Sequence, residues 1–309
     1  DTLVHVANGV ASNCPNDERS ESFKIPRYVQ HLVDNNWLGS KSGQGFYKKT
    51  KDAKGKRNIQ VLDLKTLKYR DQEKIKYTTL EAAKQVDDLK PRTKLLFNGQ
   101  DEAGDFYRRI FTDVFSYVSY RIPEISDEIY RIDDALRAGF GWELGAFESW
   151  DAIGIKEASE IAKERGHNVA DWVGEMLDAG LDSFYRVVNG ARECYDPVSK
   201  TYKVIPGQDG RVNLEYVGKD KVVWSNSGTT IKDIGDGILN IEFHTKMNSI
   251  GGEVLQGLNK VIELAEEGYR GVVVSNNGGN FSAGANVGMI FMLAVEQEWE
   301  ELDAAVKYF

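Results

Sequence analysis

The feature that most restricts the fold of this 309-residue chain is a motif that occurs twice. The first copy, "RYVQHLVDNNWL" from Arg27, leads through a glycine-rich loop into "GFYKK". The second copy, "DWVGEMLDAGLDSFYRVV", starts at Asp171. Each copy predicts a helix with one apolar stripe, a small or polar turn, and a hairpin that begins at a Phe-Tyr pair. Two copies of one motif predict a tandem of related, mainly α-helical domains.

The loop of the first copy, "WLGSKSGQGFYKK" (37–49), has the glycines and the lysine of a phosphate-binding loop. A P-loop requires GxxxxGK[ST] between a strand and a helix, and a dinucleotide-binding loop requires GxGxxG in the same context. Here Lys41-Ser42 lies between glycines, a predicted helix comes first, and a predicted strand follows. The pattern therefore indicates a helix end, with Gly39 as the left-handed residue, and a tight entry into a hairpin.

The chain changes character after Pro206. The stretch "VVWSNSGTTIKDIGDGILNIEF" is typical of strands, a helix is predicted over 252–267, and "GVVVS" (271–275) is predicted to be a short strand. Strand, helix and strand in that order predict an α/β domain with at least one parallel pair of strands.

The loop "NFSAGAN" (280–286) follows that last strand and precedes a predicted helix from about Val287. The backbone N–H groups of Gly284 and Ala285 would project at the start of the helix, where unpaired amides and the helix dipole stabilise an anionic oxygen. Asn286 is a natural N-cap. An ordinary connecting loop explains the same spacing, so both interpretations stay open on this pattern alone.

A second glycine cluster, "GFGWELGAFESWDAIG" (139–154), contains Glu143, Glu148 and Asp151. These carboxyls could act as acid or base, but no histidine or lysine lies close in the sequence, which favours a structural role. We expect the aromatic residues of this cluster, Phe140 and Phe147 among them, to pack into a helical core. The four histidines do not occur at metal-ligand spacings, so we predict no metal.

The overall composition narrows the classes of partner. The net charge of −9 argues against nucleic acid as the main partner. No apolar run approaches the roughly 20 residues of a membrane span. Cys14 and Cys194 are far apart in the sequence and form no CxxC motif, which is typical of reduced thiols in the cytoplasm. We therefore predict a cytoplasmic protein without a membrane span.

Three stretches resemble enzymes of fatty-acid β-oxidation. "WLGSKSGQGFYKK" and "RIDDALRAGFGWELGAFESWDAIGI" (131–155) are similar to the C-terminal domain of 3-hydroxyacyl-CoA dehydrogenases. This sequence departs from that pattern with Trp142-Glu143 in place of a proline-containing pair and with Ala146 in place of proline. "GDGILNIEFHTKMNSIGGEVLQGLNKVIELAE" and "GVVVSNNGGNFSAGANV" resemble the first third of an enoyl-CoA hydratase (crotonase) domain, with Asn286 where that family has aspartate. Their order resembles that of bacterial bifunctional dehydrogenase/hydratases.

The resemblance implies a mainly α-helical tandem, similar to the dehydrogenase C-terminal domain, followed by the beginning of an α/β crotonase-like domain. It implies four segments: the end of a first dehydrogenase C-domain (1–64), a linker (65–103), a second C-domain (104–206) and the start of a crotonase domain (207–309). The order also implies that the chain is an internal piece of a longer enzyme.

The resemblance further implies where a 2-enoyl-CoA substrate would bind. The Ala285 N–H would be a backbone donor to the thioester oxygen in the oxyanion hole. The other residues that the resemblance places beside coenzyme A or along the substrate channel are Lys246, Met247, Asn248, Ala283, Gly284, Asn286, Val287 and Gly288.

The same resemblance makes NAD the cofactor of the longer enzyme and places its binding domain outside this sequence. The second oxyanion glycine and the two catalytic glutamates of crotonases also match no position here, so we expect no turnover from the chain alone. The alternative is a non-catalytic scaffold, in which the helical domains form a homodimer and bind acyl-CoA.

Overall fold

The computed structural model describes residues 2–51, 54–208 and 210–308, and the chain divides into two compact units, Asp1–Tyr77 and Thr78–Phe309. The helices and strands described in the first unit are α1 (Thr2–Asn13), α2 (Arg27–Asp34), β1 (Tyr47–Lys51), β2 (Arg57–Leu62) and β3 (Tyr69–Asp71). The three strands form one antiparallel sheet in the order β1-β2-β3.

The second unit begins with a helical bundle and a small antiparallel sheet. Its helices are α3 (Thr78–Ala83), α4 (Leu89–Asn98), α5 (Glu102–Glu124), α6 (Ile129–Phe140), α7 (Ala146–Ile153), α8 (Ile155–Glu164) and α9 (Asp171–Asp178). The strands that follow are β4 (Tyr185–Val188), β5 (Ala191–Asp196) and β6 (Thr201–Val204), in the order β4-β5-β6.

The rest of the second unit is an α/β segment. Its elements are β7 (Val222–Ser225), β8 (Thr229–Asp233), β9 (Ile238–Phe243), α10 (Gly252–Glu266), β10 (Gly271–Ser275), α11 (Val287–Val295) and α12 (Trp299–Tyr308). The sheet order is β10-β9-β8-β7, and β9 and β10 are parallel, which confirms the predicted parallel pair. Helix α10 makes the crossover that parallel strands require. A small apolar core forms between α10 and the sheet, from Ile231, Leu239, Ile241, Phe243, Val254 and Val261.

The internal repeat is confirmed, since a helix followed by a three-stranded antiparallel sheet occurs in both units. One backbone hydrogen bond recurs at the start of each sheet. Leu62 N–H donates to the Phe46 carbonyl, and Tyr195 N–H donates to the Phe184 carbonyl, each over 2.8 Å. Phe46 and Phe184 are the phenylalanines of the two Phe-Tyr pairs, so the sequence alignment of the copies is also the structural one.

The helix end of the first copy differs from the prediction. Gly39 has a φ of 116° but lies beyond the end of α2, which stops at Asp34. The left-handed residue that follows the helix is Asn36 (φ 56°), and Gly180 (φ 79°) follows α9 in the same way. Asparagine tolerates this conformation better than other non-glycine residues, and the periodicity gave no reason to choose it over Gly39.

An aromatic cluster fills the core of the helical bundle. Trp150 is fully buried and its ring stacks on Phe115 with a centroid separation of 4.8 Å. Phe147 and Phe184 are also fully buried and pack against Trp150. The expected packing of the second glycine cluster is therefore confirmed for Phe147 and wrong for Phe140, which is 77% exposed at the end of α6.

Residues 65–103, which were predicted to be a linker, contain β3, α3 and α4. Phe97 in α4 is fully buried within the aromatic core of the second unit. Charged residues dominate the surface of this stretch, so its composition conceals the buried positions. The division of the chain into four domains stays a prediction.

Candidate functional site

The loop 276–286 joins β10 to α11, and a short 3₁₀ turn, Lys246–Asn248, lies against it. Ile250, just after this turn, forms a single parallel bridge with Ala285. Its N–H donates to the Gly284 carbonyl over 2.8 Å, and its carbonyl accepts from Asn286 N–H over 3.1 Å. Two stretches that are about 35 residues apart in the chain thus meet at the start of α11.

This bridge leaves the amide of Ala285 free. In a parallel bridge, the bonds are made by the residues on either side of Ala285, so its own N–H and carbonyl face away from Ile250. Among the described residues, no hydrogen bond involves the Ala285 N–H, and the residue is partly exposed. Asn286 caps α11 by accepting from Met289 N–H over 3.3 Å, which confirms the predicted N-cap. The free amide therefore lies at the positive end of a helix dipole.

The 3₁₀ turn supports the loop through Asn248, which is buried. The Asn248 Nδ2 donates to the Asn280 carbonyl over 2.9 Å, and Ala283 N–H donates to the Met247 carbonyl over 3.2 Å. Met247 and Asn248 both have positive φ, at 57° and 51°. The structure thus brings Met247, Asn248 and Ala283 next to the Gly284–Ala285 peptide.

The remaining predicted site residues surround the loop at the surface. Met247 is 70% exposed, Val287 is 72% exposed, and Lys246 and Gly288 are also exposed. Within the described part of the chain, Lys246 makes no ion pair, so its ammonium group is free to meet an anion. The ligand-binding roles of these residues stay predictions.

The site can therefore offer one preorganised N–H donor at a helix start, with a free lysine in the turn that supports it. Such a donor stabilises an oxygen that gains negative charge during a reaction, and one donor in an oxyanion hole is typically worth about 3 kcal/mol of the barrier. No histidine, cysteine or carboxylate group placed to hold a metal ion occurs among residues 2–51, 54–208 and 210–308.

Two carboxyls of the second glycine cluster, Glu148 and Asp151, have structural roles, whereas Glu143 is exposed. Glu148 lies between Arg137 and Arg192, and one of its oxygens accepts from Gly145 N–H over 2.8 Å. Burial would raise the pKa of Glu148, but the Gly145 N–H and Arg192 outweigh that effect and lower its pKa.

Asp151 and Asp133 are the enclosed carboxyls of the bundle. Burial raises the pKa of Asp151 to about 7 and that of Asp133 to about 6. Asp133, which the sequence did not single out, accepts from Phe147 N–H and Glu148 N–H at the start of α7. The charged residues beside Asp133 in α6 conceal its burial in the sequence. Burial also raises the pKa of the Cys194 thiol to about 12, so this thiol is unreactive.

The chain is similar over its whole length to enzymes of fatty-acid metabolism. It is 39% identical over 310 residues to the probable 3-hydroxyacyl-CoA dehydrogenase of Bacillus subtilis (strain 168), an alignment that covers 100% of this chain and 38% of the relative. It is 22% identical to the putative fatty acid oxidation complex trifunctional enzyme of Rickettsia prowazekii (strain Madrid E), covering 99% of this chain and 38% of that protein. The chain thus spans 38% of the length of these curated relatives.

A shorter alignment of 56 residues gives 41% identity to the probable 3-hydroxyacyl-CoA dehydrogenase of Deinococcus radiodurans, over 18% of this chain. No family model and no solved structure matches the chain. The relatives confirm the dehydrogenase part of the resemblance, and the helical bundle with small sheets is consistent with it. The crotonase part stays a prediction. No helix among the described residues has the length and apolar character needed to cross a membrane.

Proposed function

We propose that the chain takes part in fatty-acid β-oxidation, in a protein with NAD-dependent 3-hydroxyacyl-CoA dehydrogenase and enoyl-CoA hydratase activities. The alignment with the Bacillus subtilis relative over the whole chain supports the dehydrogenase activity. The hydratase activity rests on one observation, the unpaired Ala285 N–H at the start of α11 in a loop that resembles the crotonase loop.

In the proposed hydration, water adds across the C2–C3 double bond of a 2-enoyl-CoA. Electron density moves to the thioester oxygen as the bond at C3 forms, and the oxygen becomes enolate-like. The Ala285 N–H donates to that oxygen, and a donor fixed before the reaction requires no reorganisation when the charge develops. Lys246 is exposed beside the loop, and its ammonium group would pair with the anionic coenzyme A moiety.

NAD would accept a hydride from the 3-hydroxyacyl product. The sequence contains no GxGxxG motif between a strand and a helix, so these residues do not fit an NAD site. The two catalytic glutamates of crotonases likewise match no position here. We therefore expect the chain alone to bind acyl-CoA without hydrating it, and hydration of crotonyl-CoA by the purified chain would contradict this expectation.

The binding experiment uses two ligands that differ only at the carbonyl. Calorimetry compares butyryl-CoA, a thioester, with S-butyl-CoA, the thioether in which CH₂ replaces the carbonyl. One hydrogen bond to the thioester oxygen predicts about fivefold tighter binding of butyryl-CoA. Equal affinities, or no binding of either ligand, would contradict the proposed function.

A second candidate function is a non-catalytic scaffold that forms a homodimer through the helical bundle. Its support is an exposed apolar stripe on α5, where Phe106 is 58% exposed, Ile110 is 41% exposed and Tyr120 is 44% exposed. At 100° per residue these positions lie within about 80° of the helix circumference, so they share one face.

The scaffold predicts a dimer that depends on this stripe. Light scattering on the chain should give twice the monomer mass, and Phe106→Glu should give a monomer because it places a charge in the apolar contact. Phe140→Glu is the matched control, since Phe140 is also an exposed phenylalanine but lies on α6. A monomeric unsubstituted chain, or a dimer that survives Phe106→Glu, counts against this candidate.

A further inference from the structure

Ser282 makes the central contacts of the candidate oxyanion loop. Its hydroxyl donates to the Asn248 carbonyl over 2.7 Å and accepts from Gly284 N–H over 2.9 Å. The side chain thus joins the loop to the 3₁₀ turn. It also bonds to the loop backbone at Gly284, immediately before the peptide that carries the free amide. No other described side chain hydrogen-bonds both segments through one atom.

The second of these bonds holds the Ala283–Gly284 peptide, which directly precedes the Gly284–Ala285 peptide with the free amide. Gly284 has a φ of 84°, in the left-handed region, with its N–H held by Ser282 and its carbonyl held by Ile250. In a trans peptide the carbonyl and the following N–H point in opposite directions. Holding the Gly284 carbonyl on Ile250 therefore directs the Ala285 N–H away from Ile250.

The first bond has a fixed partner. Asn248 is buried, and its own side chain donates to the Asn280 carbonyl, at the start of the same loop. Gly278 packs so closely on Asn248 that a Cβ at this position would lie 2.3 Å from its Nδ2. The loop thus holds the side chain of the residue whose carbonyl Ser282 contacts.

We propose that Ser282 is a positioning residue, which acts through Gly284 to hold the Ala285 N–H in the direction of the thioester oxygen. Ser282 does not contact the substrate in this arrangement. The inference rests on the proposed hydratase function, because that function makes the Ala285 N–H the donor to the thioester oxygen.

The test measures the carbonyl preference, defined as the ratio of the dissociation constant of S-butyl-CoA to that of butyryl-CoA. The expected ratio is about five for the native chain. Ser282→Ala should lower this ratio to about one, while the affinity for S-butyl-CoA stays unchanged. Ser282→Thr keeps the hydroxyl and should retain the native ratio. Gly279→Ala is the control in the same loop, where a Cβ meets open space, and it should also retain the ratio.

A purely structural role of Ser282 would weaken the binding of both ligands and leave the ratio unchanged, so the ratio separates the two roles. Hydrogen exchange provides a measurement without ligand, and the Gly284 amide should exchange about tenfold faster in Ser282→Ala. Ser282→Cys, with a weak donor of similar size, should give an intermediate ratio and covers the case in which the alanine variant does not fold. If Ser282→Ala and Ser282→Cys both keep the native ratio, the role of Ser282 is overturned and the proposed function is not. If the native chain shows no carbonyl preference, both the role of Ser282 and the proposed function are overturned.

Discussion

Replacing Asp151 with alanine is expected to lower the free energy of unfolding of the second unit by about 4 kcal/mol. The Asp151 carboxyl accepts from Phe184 N–H over 2.7 Å, from Tyr185 N–H over 3.0 Å and from the Ser183 hydroxyl over 3.2 Å. It thereby connects α7 to the start of β4. Alanine would leave two backbone donors without a partner beside the aromatic core, and each costs about 1–3 kcal/mol.

Urea unfolding followed by tryptophan fluorescence measures this change. Asp151→Asn keeps one acceptor oxygen and should lose about half as much stability. Asp178→Ala is the matched control, because Asp178 is exposed at the end of α9, and its effect should stay within about 0.5 kcal/mol. An Asp151→Ala variant within 1 kcal/mol of the native chain would show that this connection is not needed.

The second large effect is a fall in stability between pH 5 and pH 8. Burial raises the pKa values of Asp133 and Asp151 from 3.8 to about 6 and about 7. The negative charge of Glu148 adds to the rise at Asp133, and the hydrogen bonds from Phe147 N–H and Tyr185 oppose it. Because the folded pKa values lie above the unfolded value, the folded chain binds more protons in this range. This contribution to stability is therefore complete below about pH 4 and is lost as the pH rises through 6 and 7.

The two shifts together predict a loss of roughly 4 kcal/mol from pH 5 to pH 8. Urea unfolding at several pH values measures the slope, and Asp151→Asn should flatten it because an amide does not titrate. Carboxyls with lowered pKa values, such as Asp101, titrate below this range and do not mask the effect. Constant or rising stability of the native chain from pH 5 to pH 8 would contradict the prediction.

The parts of the fold that depend on local patterns could be predicted from the sequence. The helix–turn–hairpin repeat was predicted because its apolar stripes and its Phe-Tyr pairs lie within about 20 residues of one another. The connections made by Asp133 could not be predicted, since one joins it to Tyr185, 52 residues away. An aspartate in a helix is normally solvated, and only the packing of α7 and β4 around it makes it buried.

In the candidate site, too, the features set by neighbouring residues could be predicted and those set by distant contacts could not. The cap at Asn286 was predicted from the residues that adjoin it, and the structure leaves the Ala285 amide unpaired, as the oxyanion interpretation requires. The role of Ser282 was missed because its hydroxyl contacts Asn248, 34 residues away. One local signal was present, since a serine two residues before a glycine can accept from the glycine N–H in a turn.

The most direct test of the proposed function observes the Ala285 amide itself. Labelling alanine with ¹⁵N and glycine with ¹³C selects the Gly-Ala peptides, which end at Ala146, Ala191 and Ala285. Saturating butyryl-CoA should move the Ala285 amide proton downfield, as a new hydrogen bond to the thioester oxygen requires, while S-butyl-CoA should not. The Ala146 and Ala191 signals should stay in place with both ligands. An Ala285 signal that does not move when butyryl-CoA is bound would contradict the account.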